Sequence, residues 1–475
     1  MGWPVPSVPE GQAPSPPSPW FIVALCVVCL VVGVALTLLL WPTARGTAGN
    51  FRFWACLAGV PAVSAVILVA AVFHMYGMQK LYRDCWDDCC RLVDRVWRAW
   101  ARSHVALTAF ATLTPESDLA ERIAGLAGEA PKNKTKVLRL EGFDSDFRAS
   151  RIESVLNHLL ERLKPALDEL RAEQTVRALV WTGSQPDEET IRAMMEGLWR
   201  RLGIRPHVEV TATPELRWVN IEDYAVRERM PLLILCAQLH DAGTALEQFT
   251  EAATGLLLEH TVRRTRDGLP AVRIFRSMPT DIESFKVDLA QLGDMGPVDL
   301  PKLRVGWSCG LGKAERYALE EALVSSRIVL KGGSKGITQL DDCIGPTGPI
   351  NPWLSLGLAA ELVQYGQGAQ LLAVPDGNRV RMAVADASTP ARVGTPDRGH
   401  RRDLRGAATL ICMAPWIAIL LAVIFRPDDT FLWIMAGIAA SVLLTLLLLL
   451  LHPVMVESRA RRDVEAAGCR LPVNG

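Results

Sequence analysis

An α/β fold, with a layered soluble domain held between two hairpins of membrane-crossing helices, is what this sequence predicts, and three observations carry the prediction. Four runs of about twenty apolar residues lie near the two ends of the chain, each long enough to cross a hydrocarbon core of about 30 Å as a helix. Between them, strand-like and helix-like segments alternate, as in layered α/β domains. One segment, Leu232 to Leu239 (LLILCAQL), is the continuous apolar run expected of a strand covered on both faces.

The composition fits that division. The chain has 475 residues, 51 Lys+Arg and 51 Asp+Glu, so its formal net charge is zero and nothing global points to nucleic acid. Half of the residues are hydrophobic while 21% are charged. The mean hydropathy of +0.19 therefore requires the apolar excess to be concentrated, which excludes a purely soluble protein.

Taken in order, residues 1–20 hold seven prolines, including Pro14, Pro16, Pro17 and Pro19, and read as an extended, disordered tail. Met1-Gly2 resembles a myristoylation start, but Pro6 stands where Ser or Thr is required. Residues 21–78 hold two spans, Phe21–Trp41 and Phe53–Met78. Residues 79–104 continue the second span as a basic juxtamembrane helix carrying Trp86, Trp97 and Trp100. Residues 105–386 form the α/β domain, with strands expected at Val105–Leu113, Thr175–Trp181, His207–Thr211, Leu232–Leu239, Ala252–Leu258, Ala271–Phe275, Leu303–Trp307, Ala369–Val374 and Arg379–Val384. Helices are expected at Asp118–Ala127, Ile152–Arg171, Glu188–Leu202, Ile282–Leu292, Lys313–Ser325 and Leu354–Tyr365, and a short extended piece at Lys136–Leu140. A polar linker, 387–405, leads to two further spans within 406–451 (Gly406–Phe425 and Phe431–Leu451), and 452–475 is a tail.

Orientation follows from the basic residues. Lys80, Arg83, Arg91, Arg95, Arg98 and Arg102 follow the second span; Arg392, Arg398, Arg401, Arg402 and Arg405 precede the third; Arg459, Arg461 and Arg462 follow the fourth. The other side would hold only Arg45, Arg52 and Arg426. The positive-inside rule puts the large domain and both termini in the cytoplasm. The scattered cysteines suit reduced thiols better than a disulfide framework.

Local chemical motifs are weak. Gly306–Ala314 resembles a phosphate loop but has one spacer too many before Gly312-Lys313 and an alanine where a magnesium-binding hydroxyl belongs; Lys331–Gly336 fails the same pattern and reads as a turn. Cys85, Asp88 and Cys89 share a helical face without a histidine, so no metal site is expected. Asp341-Asp342 reads as a cap, not a carboxylate pair. Cys309 follows a strand and precedes a helix, a setting that can lower a thiol pKa, and its base would have to be His240 or His260.

Three segments in one order carry a family resemblance: Glu251-Ala-Ala-Thr-Gly-Leu-Leu-Leu-Glu259, then Val305-Gly-Trp-Ser-Cys-Gly310, then Ile344-Gly-Pro-Thr-Gly-Pro-Ile-Asn-Pro-Trp-Leu-Ser-Leu-Gly357. They resemble the glycine-rich strand and the two histidine-bearing turns of β-ketoacyl synthases in the thiolase-like superfamily, over roughly Leu232 to Val384. Such enzymes work through a cysteine thiolate and two histidines. Here Trp307 stands where the first histidine would be and Pro346 where the second would be. No histidine lies between His260 and His400, and no cysteine between Cys90 and Cys236, where the nucleophile would fall. Indole offers one fixed N–H and proline none, so neither replaces imidazole at an oxyanion.

A membrane-bound, thiolase-like domain without its catalytic groups resembles the lipase-adaptor family of bacterial type VI secretion. That resemblance implies a non-catalytic adaptor in the bacterial inner membrane, with no cofactor, no metal and no nucleic acid. Its partners would be the lipid bilayer, a lipase effector and the secretion spike. Dimers are common in the superfamily, so a homodimer remains open. Two alternatives stand beside it: a membrane-bound acyl-transfer (condensing) enzyme using Cys309, and a membrane scaffold.

Overall fold

The computed structural model describes residues 2–7, 14–40, 51–143, 150–183, 187–218, 230–240, 245–260, 269–298, 300–326, 328, 330, 336–389 and 454–469. The third and fourth expected spans, and most of the linker before them, lie outside these residues. The described chain divides into two units: one takes in residues 2–5 and 97–389, the other 6–96 and 454–469.

In the second unit, α1 (Pro19–Leu40) carries apolar side chains on all faces, and Trp20 and Leu39 remain about as exposed as side chains can be, at 80% and 79%. Water does not favour such a surface. A short helix α2 (Phe51–Trp54) passes through a π-turn, Ala55–Gly59, into α3 (Val60–Ala101). Two helices, Pro19–Leu39 and Leu57–Ala101, are thus long and apolar enough to cross a membrane. The polar half of α3 is not solitary: Tyr82 donates a 2.7 Å hydrogen bond to Asp463 on a helix at 454–466, whose Ala460 and Val464 are buried. The segment after the apolar regions therefore begins as a packed helix.

In the first unit, eleven strands form one sheet. In chain order the elements are β1 (His104–Leu113), α4 (Leu119–Ile123), α5 (Arg151–Leu167), β2 (Thr175–Trp181), α6 (Glu188–Leu202), β3 (His207–Ala212), β4 (Leu232–Gln238) and β5 (Ala252–Glu259). There follow β6 (Val272–Phe275), β7 (Met278–Thr280), α7 (Phe285–Met295), β8 (Leu303–Ser308), α8 (Lys313–Ser325), β9 (Ile337–Thr338), α9 (Leu340–Ile344), α10 (Asn351–Gln364), β10 (Ala369–Asp376) and β11 (Arg379–Asp386). The expected strands appear within a residue or two. The helix expected at Asp118–Ala127 is shorter, because Gly125 at φ 70° and Gly128 at φ 105° turn the chain away. α10 starts earlier than Leu354, with Pro352 in its first turn, where a missing N–H costs nothing. The two-residue β9 and three-residue β7 were not read from sequence.

The strand order, β3-β2-β4-β5-β1-β6-β11-β10-β8-β9, contains a repeat. Outward from the centre, β1 pairs antiparallel with β5 and β5 antiparallel with β4, followed by parallel β2 and β3. On the other side β6 pairs antiparallel with β11 and β11 antiparallel with β10, followed by parallel β8 and β9. The two halves join through antiparallel β1 and β6. A parallel step needs a crossover, and helices supply it: α6 between β2 and β3, α8 between β8 and β9, and α9 with α10 on the way from β9 to β10.

Both faces of the first half are covered. Along β4, Leu233, Leu235 and Ala237 join the core under α5 and α6, while Leu232, Ile234 and Cys236 join the core under α10. This explains why the run is apolar at both parities. α5 begins on an N-cap, Ser150 accepting from the Glu153 N–H, and buries Leu156, Leu159, Leu160, Leu163 and Leu167 as one stripe. α10 is buried on every side and lies so close over the sheet that a Cβ on Gly357 would stand 2.5 Å from Thr112 Cγ2. The counterpart of α10 in the first half would fall within 213–231, and 219–229 lie outside the described residues.

Candidate functional site

The three segments singled out in the sequence meet around the N-terminus of α10. β8 ends at Ser308, and the Cys309 N–H still pairs with Ala373 O of β10 at 2.9 Å. Gly310 at φ 77° then turns the chain, and α8 starts behind Gly312. Cys309 is thus at the expected strand-to-helix elbow, yet it is fully buried. Burial pushes its thiol up to about 12, and the Ser355 hydroxyl and Ala373 backbone offset this only in part. Desolvation overrides any help from a helix N-terminus. At the same helix start the Glu315 carboxylate folds back over Gly312, placing negative charge where a phosphate would sit in a nucleotide loop.

Trp307 is 1% exposed, and its single N–H is already directed to Gln370 Oε1 at 3.0 Å. Gln370 is held in turn by Gly368 O at 3.0 Å. The indole is a packing and cross-strand group with no donor left for a carbonyl. Pro346 offers only its carbonyl, which accepts from the Thr250 N–H at 2.6 Å. Its neighbour Gly345, at φ 85°, passes so close to residue 136 that a Cβ would lie 1.9 Å from Lys136 O.

A polar ladder links these positions. Asp341 Oδ1 accepts from the Thr347 N–H at 3.0 Å, from Thr347 Oγ1 at 2.5 Å and from Asn351 Nδ2 at 3.3 Å. Asn351 Nδ2 also donates to Thr347 Oγ1, and Ser355 Oγ donates to Asn351 Oδ1 at 2.9 Å. Asp341 therefore works as the cap read from the sequence, while Asp342 pairs with Lys134 at 2.8 Å.

His240 and Glu251 form a separate hub. Arg151 grips Glu251 with two nitrogens, at 2.5 and 2.7 Å, and the N–H groups of Leu140 and His240 each add a bond of 2.7 Å. Burial alone would raise the Glu251 pKa; the Arg151 guanidinium and the two N–H groups outweigh it and hold the carboxyl below its usual range. His240 Nδ1 accepts from Arg139 Nε at 3.2 Å and its Nε2 donates to Phe249 O at 2.6 Å, which fixes the tautomer. Its ring is fully engaged, and His260 is exposed at the end of β5. Neither histidine contacts Cys309.

The sequence reading passed over an apolar cavity of about 30 Å³, lined by His104, Val105, Trp218, Leu258, Phe275 and Trp353 among others. Trp218 and Trp353 stack at 5.5 Å with planes 17° apart. Burial lowers the His104 pKa, against a bond to Arg102 O that raises it. None of Trp307, Cys309 and Pro346 lines this cavity. Two tryptophans in a loop and a helix start were its only signal in the sequence.

No family model matches the chain, and no curated protein does. Solved structures similar to it are condensing enzymes. One is a type II PKS acyl-carrier protein in complex with its ketosynthase bound to the hexaketide (AntDE:AntF), at 12% identity and TM-score 0.44, covering 60% of this chain and 99% of that one. The ishigamide ketosynthase/chain length factor gives 16% and 0.41, covering 60% and 100%. The 3-oxoacyl-[acyl-carrier-protein] synthase III from Aquifex aeolicus VF5 gives 11% and 0.35, covering 59% and 99%. At these identities and TM-scores the likenesses decide nothing about activity.

Proposed function

We propose that this chain is a membrane-anchored, non-catalytic adaptor whose thiolase-like domain binds a lipase effector in the cytoplasm and assists its loading onto the type VI secretion machinery of a bacterial inner membrane. The observation that carries the reading is the commitment of the would-be catalytic positions to structure. Trp307 is tied to Gln370, Cys309 is buried with its thiol pushed to about 12, and Pro346 has no donor. A fold that keeps its sheet while directing these groups inward retains its outer surfaces for binding. The apolar helices supply the anchor, and the basic residues after α3's apolar half favour a cytoplasmic domain.

The test is to look for a lipase encoded in the genomic neighbourhood and to follow its export in a strain lacking residues 105–386. The adaptor reading expects export to fall while lipase synthesis continues, and expects full-length protein to co-purify with the lipase. Normal export from the deletion strain rejects it. Acylation of Cys309 by a thioester substrate would favour the condensing enzyme instead.

A further inference from the structure

The first residues of the chain are not part of a free tail. Trp3 is 4% exposed, with its indole N–H donating to Ser277 O at 3.1 Å and its ring meeting Trp100 edge to face at 5.7 Å. Gln291 on α7 holds its backbone on both sides: the Trp3 N–H donates to Oε1 and Nε2 donates to Trp3 O, each at 3.0 Å. Pro4 is spanned by a tight turn in which the Val5 N–H reaches Trp3 O at 2.7 Å. Proline on each side of Val5 lowers the entropy lost in ordering this segment. A Cβ at position 2 would stand 2.2 Å from Gln291 Oε1 and 2.7 Å from Asp288 Oδ1, so a side chain there would have to push aside the amide that holds Trp3.

The socket is built where α3 meets the domain. Trp97 packs on Trp100 at 5.2 Å, and the Arg276 guanidinium lies 4.3 Å from the Trp100 ring centroid. Arg98 and Arg102 cap the C-terminal carbonyls of α7 through Asp294 O at 2.6 Å and Met295 O at 3.3 Å. Arg276 Nε continues to Ser103 Oγ at 3.1 Å, and both residues line the apolar cavity.

We propose that Gly2-Trp3 is a latch and that Trp100, Ser277 and Gln291 form a recognition site for it, specific for tryptophan after a residue without a side chain. The latch closes residues 6–96 into a loop whose two ends are held by one body. Where the apolar helices in that loop cross a membrane, they must cross it an even number of times. The latch also braces Trp100 and Arg276, so its release loosens one wall of the cavity. This holds whether or not the domain serves a lipase; only the statement on crossings rests on the membrane reading.

Hydrogen exchange on full-length protein in lipid nanodiscs tests it, comparing wild type with Trp3→Ala and Gly2→Val. The second variant substitutes no socket residue and opposes docking by crowding the Gln291 amide. The latch predicts exchange about tenfold faster or more at 97–104 and 272–291 in both variants, with β4 and β5 unchanged. Wild-type exchange in both variants overturns it. A rise that also reaches β4 and β5, or one confined to Trp3→Ala, overturns it as well, because Trp3 would then be an ordinary core residue.

Discussion

The two halves of the sheet repeat each other strand for strand and differ in how their polar groups are held. In the first half, a buried carboxylate, Glu251, stands just before β5 and is gripped by Arg151. In the second half, Gly377 and Asn378 suffice to join β10 to β11, and the buried polar groups include the carboxylate of Asp288 and a neutral pair, Trp307 with Gln370. Backbone pairing thus repeats between the halves, while the polar side chains buried in them differ. The difference teaches that one pattern of backbone pairing accommodates quite different buried polar groups.

The comparison is broken most forcefully at the charged hub. Arg151→Ala leaves Glu251 buried without its partner and should cost about 3–5 kcal/mol in denaturant unfolding of the full-length protein in detergent. A loss under about 1 kcal/mol would mean that the backbone N–H groups alone hold the carboxylate. At the neutral pair, Trp307→Phe strands Gln370 Oε1 and should cost about 1–3 kcal/mol, most of which the double variant with Gln370→Leu recovers.

Acid separates the halves further. Glu251 titrates lower in the folded chain than in the unfolded one, so its contribution is complete above the unfolded value of about 4.3 and is lost as pH falls through the folded value. Glu251→Gln should flatten that limb of the stability profile, and Trp307→Phe should leave its shape unchanged. His104, on the central strand, is also lowered by burial. It withdraws stability earlier, as pH falls from about 6.5 towards its folded value, and His104→Gln should remove that step. The smallest effect belongs to the outer helices of the second half: Val287 on α7 is 70% exposed, and Val287→Ser should change stability by no more than about 0.5 kcal/mol.

Much of this was legible in the sequence because local signals agreed with the fold. The run at Leu232–Leu239 announced a strand buried on both faces, and the amphipathic pattern over Ile152–Arg171 announced α5. The elbow at Cys309 was read as well; its burial was not, because nothing local says that Ser355 and Ala373 will close over the thiol. The repeat escaped notice because it resides in strand order and direction, which hydrogen bonds between distant segments determine. β7 and β9 are too short for a period of two to show. The docking of Trp3 escaped because a proline-rich start reads as disordered; only long-range contacts to Ser277 and Gln291 reveal that its side chain is buried.

The central claim is that Cys309, at the strand-to-helix elbow, is a buried packing group and not a nucleophile. Full-length protein treated with an acyl thioester and mapped by peptide mass spectrometry should carry no acyl group on Cys309 at neutral pH, where a thiol with pKa near 12 remains protonated. Stoichiometric acylation at that position, abolished by Cys309→Ala, would contradict the account.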